Sequence, residues 1–166
     1  MRKQLYLDIK GKIKAIKDEN DEQIIKHFDI WNQQVDFLEQ ETPFAYPAMF
    51  IEFEPIQWQM LGNRMQQAEL TVKIHIVTRW LAQTADYSPT ESDALDYLDL
   101  PDKIFVALQG AAVTASNGFM RTASFINHNH ADILDSIEVY KTLINNTLAM
   151  PQQQAVTGVA PVITGG

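Results

Sequence analysis

Residues 66–78 alternate with a period of two. Leu70, Val72, Ile74 and Ile76 share one parity, and Thr71, Lys73, His75 and Val77 hold the other. That is the pattern of a long, half-buried antiparallel strand, whose apolar face must be covered by a second layer. Residues 4–17 supply a candidate cover. Leu5, Ile9, Ile13 and Ile16 recur at spacings of four, four and three with lysines between them, the single apolar stripe of a helix that docks on a sheet. Gly11 weakens that helix slightly.

Three other strands are expected on similar grounds. Residues 27–37 hold Phe28, Ile30, Trp31, Val35 and Phe37 around a polar Asn32-Gln33-Gln34 insert. In residues 48–54, Met49, Ile51 and Phe53 face one way, with Phe50, Glu52 and Glu54 opposite. Residues 119–127 follow later in the chain. A fifth strand is read at 136–147, where Ile137, Val139 and Leu143 share a parity interrupted by Lys141. Between the third and fourth strands, Pro101 suits the first position of a second helix, with Asp102 at its positive end and Gly110 as a stop. The expected architecture is α+β: a mainly antiparallel sheet of four to five strands with two helices packed on one face. Residues 1–150 form this single domain. Residues 151–166 carry no charge and join no periodic element, so they are read as a flexible tail or an intersubunit arm.

Composition excludes several chemistries. With no cysteine among 166 residues, disulfides, thiolate nucleophiles and thiolate metal sites are ruled out. No apolar run approaches the ~20 residues of a membrane helix, and the early lysines are not followed by the apolar core of an export signal. Neither a Walker pattern nor GxGxxG nor GxSxG occurs. Charge is divided unevenly. Residues 1–17 hold six basic residues against Asp8, a balance of +5, and the other 149 hold seven basic and twenty acidic, a balance of −13. So acidic a body disfavours general nucleic-acid binding.

Few residues invite a site. Glu52 and Glu54 share a strand face and could pair as acid and base, although two acids on a solvated face are far commoner. His128 and His130 point the same way on a strand and could present two imidazoles to an ion, with Asp132 or His75 as further ligands. A polar loop is the commoner origin of such a pair, so no metal and no cofactor are expected. Arg64, Arg79 and Trp80, near the ends of the long strand, are candidate interface anchors.

Two segments carry a family resemblance. The first is Tyr46-Pro47-Ala48-Met49-Phe50-Ile51-Glu52-Phe53, the turn around Leu61-Gly62-Asn63, and residues 66–78. The second is Tyr97-Leu98-Asp99-Leu100-Pro101-Asp102-Lys103-Ile104-Phe105-Val106-Ala107-Leu108-Gln109-Gly110, followed by Arg121-Thr122-Ala123-Ser124 and the polar turn at 128–132. Over residues 1–147 the chain resembles bacteriophage tail-terminator or tail-completion proteins, which join head to tail. The resemblance implies a non-enzymatic virion protein, assembled in the host cytoplasm. It further implies a homo-oligomeric ring, typically a hexamer, that contacts tail-tube and connector proteins while DNA passes through unbound. Glu52 and Glu54 are then lumen candidates. No catalytic residue carries over. Another neck or connector component, a cytoplasmic adaptor, and a small enzyme with a site formed only in three dimensions are the alternatives.

Overall fold

A computed structural model describes residues 1–35, 44–79, 95, 98–114, 116–129 and 132–151. Trp80, His130 and residues 152–166 lie outside these described residues. Helix α1 spans Arg2–Lys14 and buries Leu5, Ile9 and Ile13 completely. Lys12 and Lys14 sit in its last turn, where they favour the negative end of the helix dipole. The helix stops three residues short of the expected position 17. Asp18 Oδ1 accepts hydrogen bonds from the backbone N–H groups of Asn20 and Glu22, an alternative to further helical bonding.

Strand β1 is His27–Ile30, β2 is Ala48–Phe53, β3 is Gln59–Gly62 and β4 is Met65–Arg79. Helix α2, Asp99–Leu108, follows, and then β5, Met120–Asn127, and β6, Ile133–Asn146. The sheet order is β1-β2-β4-β6-β5, with β3 pairing on β4 beyond the end of β2. β4 and β6 pair antiparallel from Gln66↔Asn146 to Arg79↔Ile133, and this long ladder is the spine of the fold.

Among the described residues the sheet therefore has six strands rather than four or five, and one pair, β1–β2, is parallel. The connection from Ile30 to Ala48 is long enough for that parallel crossing. β1 is also shorter than the expected 27–37. Its insert turns the chain instead, with Gln33 at φ 59° and the Gln34 amide donating to the Ile30 carbonyl. β3 leaves no pattern in the sequence because all four of its residues are exposed, so no burial imposes a period on them.

Buried residues of both helices enter one core: Leu5, Ile9 and Ile13 of α1, and Leu100, Ile104 and Leu108 of α2. They meet Met49 and Ile51 of β2, Leu70 to Ile76 of even number on β4, and Tyr140 and Ile144 of β6. Each fully buried aliphatic side chain contributes about 1.5–3 kcal/mol. On β6 the helix-facing parity is the even one, Tyr140, Thr142 and Ile144. Ile137, Val139 and Leu143 do share a face, but it is the opposite one, and Leu143 is exposed there. α2 begins two residues before Pro101, which is still inside the first turn, where a missing N–H is harmless. Its end is set by Gly110 at φ +67°, a left-handed position that favours glycine.

β3 and β4 are joined by Asn63 and Arg64, both at positive φ (46° and 61°), the backbone of a two-residue type I′ turn. An arginine there is strained. Arg64→Gly is expected to hold or raise stability by up to about 1 kcal/mol, read as a small upward shift in a urea midpoint. A loss of more than about 1 kcal/mol would mean that the Arg64 side chain itself holds the hairpin.

Candidate functional site

Side chains of the other parity on β2, β4 and β6 project from the sheet face away from the helices. There the sequence builds a row of charges. Glu52 and Lys73 are paired across β2 and β4. Lys73 Nζ lies 2.7 Å from Glu54 Oε1 and 3.5 Å from Glu52 Oε2. The Glu54 carboxylate beside it holds the Lys73 ammonium above its ordinary pKa. Glu52 and Glu54 are thus brought together, as the strand pattern implied, but a lysine joins them.

The row continues inward. His75 Nε2 is 3.4 Å from Glu52 Oε2, and its Nδ1 is 3.3 Å from Oδ2 of Asp135, a fully buried carboxylate. The Trp31 indole lies flat on the imidazole, with centroids 3.7 Å apart and planes within 5°. Trp31 belongs to a small second core with Val35, Phe44, Tyr46, Ala48, Phe50, Val77 and Ile133. His75 is consequently 4% exposed. A reacting group cannot reach the imidazole past Trp31, so the row of Asp135, His75, Glu52, Lys73 and Glu54 acts as a polar brace between three strands.

A second buried charge sits on the helix side. Glu138 accepts hydrogen bonds from Ser124 Oγ at 2.6 Å and from Arg121 Nη1 at 3.2 Å. The Arg121 guanidinium also lies 4.1 Å from the centre of the Phe105 ring of α2. A cavity of about 550 Å³ opens beside it, lined by Leu98, Pro101, Ser124, Ile126 and Glu138. A larger one of about 820 Å³ has Ile24, Lys26, Tyr46, Arg79, Asp99 and Lys103 in its wall, charges of both signs without a convergent set.

The remaining candidates are scattered. Arg64 is at the β3–β4 turn, and Arg79 ends β4 with its guanidinium 5.0 Å over the Tyr46 ring. His128 is exposed just past the end of β5, while His75 is buried under Trp31. Among the described residues no three histidine or acidic side chains are grouped as metal ligands. The sequence reading missed the roles of Trp31, Lys73, Asp135, Arg121 and Glu138. One signal was available: acids two apart at Glu52 and Glu54 match Lys73 and His75, two apart on a strand that could pair with theirs.

No protein-family profile matches this sequence, and no curated protein is similar to it in sequence. Among solved structures, the fold is similar to that of a chain in the virion of a native gene transfer agent particle. The TM-score is 0.51 at 12% identity, and the match covers 87% of this chain and 97% of that one. The likeness therefore lies in the fold, and extends over nearly the whole of the other chain.

Proposed function

We propose that this chain is a non-enzymatic structural component of a phage-like virion. In this reading copies of it form a ring, a hexamer, at the head–tail junction. The observation that carries the reading is the likeness of nearly complete length to a chain of a virion particle. It is supported by the polar brace, in which Lys73 is matched to Glu54, Asp135 to His75, and the imidazole is covered by Trp31 rather than presented to a substrate. Tail-tube and connector proteins are the other partners, and DNA passes through the ring without specific contact. An acidic body of this kind, whose Glu52 and Glu54 share the single ammonium of Lys73, does not clamp phosphates. Residues 151–166 are an uncharged arm for a neighbouring subunit.

Light scattering on the purified chain across concentration and salt tests the ring. Discrete association that strengthens with concentration is expected, with no submicromolar affinity for duplex DNA at physiological salt. A strict monomer at high concentration in low salt, or tight DNA binding, counts against the reading. Deleting residues 151–166 is expected to spare thermal stability while weakening association. Unfolding of the truncated chain would instead assign the segment to the subunit's own core.

A further inference from the structure

We propose that the outer face of α1 docks on the outer face of α2 in a second copy of this chain. The inference rests on the reading that the chain assembles with itself, and it names the surfaces that do so.

Opposite the buried Leu5, Ile9 and Ile13, α1 presents Lys3, Leu7, Gly11 and Lys14, all exposed and spaced along one helical stripe. Leu7 is a 44% exposed leucine set between two cations. Gly11 is the more telling residue. It lies inside the helix, where glycine is unfavourable, and a Cβ added there would meet no atom within 4 Å. The subunit's own packing therefore does not require a glycine at this position. A second chain that approaches the helix backbone closely does.

α2 carries a matching stripe of opposite sign. Asp99, Asp102, Lys103 and Val106 lie at helical spacing on its exposed side, with Leu98 exposed just before them. Val106 is 78% exposed, a large apolar side chain in open solvent. Asp102 keeps 77% of its side chain exposed although Arg121 lies 3.7 Å behind it. Both acids occupy the first turn, where they suit the helix dipole and leave Lys103 as the lone cation of the stripe. One face is thus cationic around Leu7, and the other is mainly anionic beside Val106 and Leu98. Like faces repel and unlike faces attract, so the contact pairs α1 of one copy with α2 of the next. A contact between two different patches leaves one of each open, which is how identical subunits form rings.

Charge reversal tests this. Lys3→Glu with Lys14→Glu in one variant, and Asp99→Lys with Asp102→Lys in another, are each expected to weaken self-association at least tenfold. Circular dichroism is expected to show both variants folded. Mixing the two variants in equal amounts restores assembly, because each then offers the other its missing sign. Gly11→Gln is expected to raise the subunit's Tm by about 2–4 °C, as glycine leaves the helix, while weakening association. Association of the reversed variants at wild-type strength, failure of the mixture to recover, or full association of Gly11→Gln would overturn the α1–α2 contact and leave the ring reading standing. A closed dimer that obeys the charge-reversal pattern keeps the contact and removes the ring. A wild-type chain that stays monomeric at its highest soluble concentration in low salt removes both.

Discussion

Replacing His75 with leucine is expected to lower stability by about 3–5 kcal/mol, the cost of leaving the buried Asp135 carboxylate without the imidazole that faces it. Asp135 is fully buried, and among the described residues its Oδ2 faces His75 Nδ1 while its Oδ1 has no hydrogen-bond partner. Leucine would preserve bulk beneath Trp31 but leave that carboxylate with nothing to face. For a chain of this length the Tm should fall by roughly 10–15 °C. The double variant His75→Leu, Asp135→Val removes both polar groups, and is expected to recover most of the loss, since apolar side chains of similar shape replace a buried polar pair at little cost. Urea denaturation of the two single variants and the double one measures the coupling. A His75→Leu variant within about 1 kcal/mol of wild type would mean that the brace is not a stabilising unit.

The brace also marks the boundary of what the sequence discloses. Its β2–β4 half obeys local rules. The alternation of β2 and β4 was readable, and so were the faces of Glu52, Glu54, Lys73 and His75, because burial of one sheet face imposes a period of two. Its other half depends on register. Asp135 reaches His75 only because β6 starts at Ile133 and pairs along the whole of β4. All of residues 133–138 are buried, on both faces, so that stretch has no alternation from which its start could be read. Trp31 is harder still. It looked like a strand residue, and only the turn at Asn32-Gln33-Gln34 swings its ring over the imidazole. β3 is a different case: exposed on both sides, it has no pattern to disclose. Both helices, by contrast, were legible, α1 from its apolar spacing and α2 from Pro101, Asp102 and Gly110, and each packs a single stripe of aliphatic residues into the core.

α1 yields the second large effect. Ile9→Ala is expected to cost about 2–5 kcal/mol, because Ile9 is fully buried at the centre of the stripe, with Leu5 and Ile13 one turn to either side. Further contacts fasten the helix, the first being Tyr6, which packs edge-on against Phe28 with ring centroids 5.6 Å apart. Asp8 accepts a hydrogen bond from the Thr114 backbone N–H at 2.9 Å, and that bond holds the Asp8 carboxyl below its ordinary pKa. A depressed carboxyl stabilises the fold above its unfolded-state pKa, and the contribution disappears as pH falls through the folded value. Asp8 is only half-buried, so solvent screens this tie, and it cannot offset a cavity beneath the helix. Native-state hydrogen exchange separates two ways of losing stability. If α1 opens as a unit, Ile9→Ala should speed exchange along α1 more than along β4 and β6, whose hydrogen bonds to each other do not involve it. Because Lys3, Leu7, Gly11 and Lys14 ride on this helix, association should weaken in step with its opening. Equal acceleration across helix and ladder would show instead that α1 and the sheet unfold together.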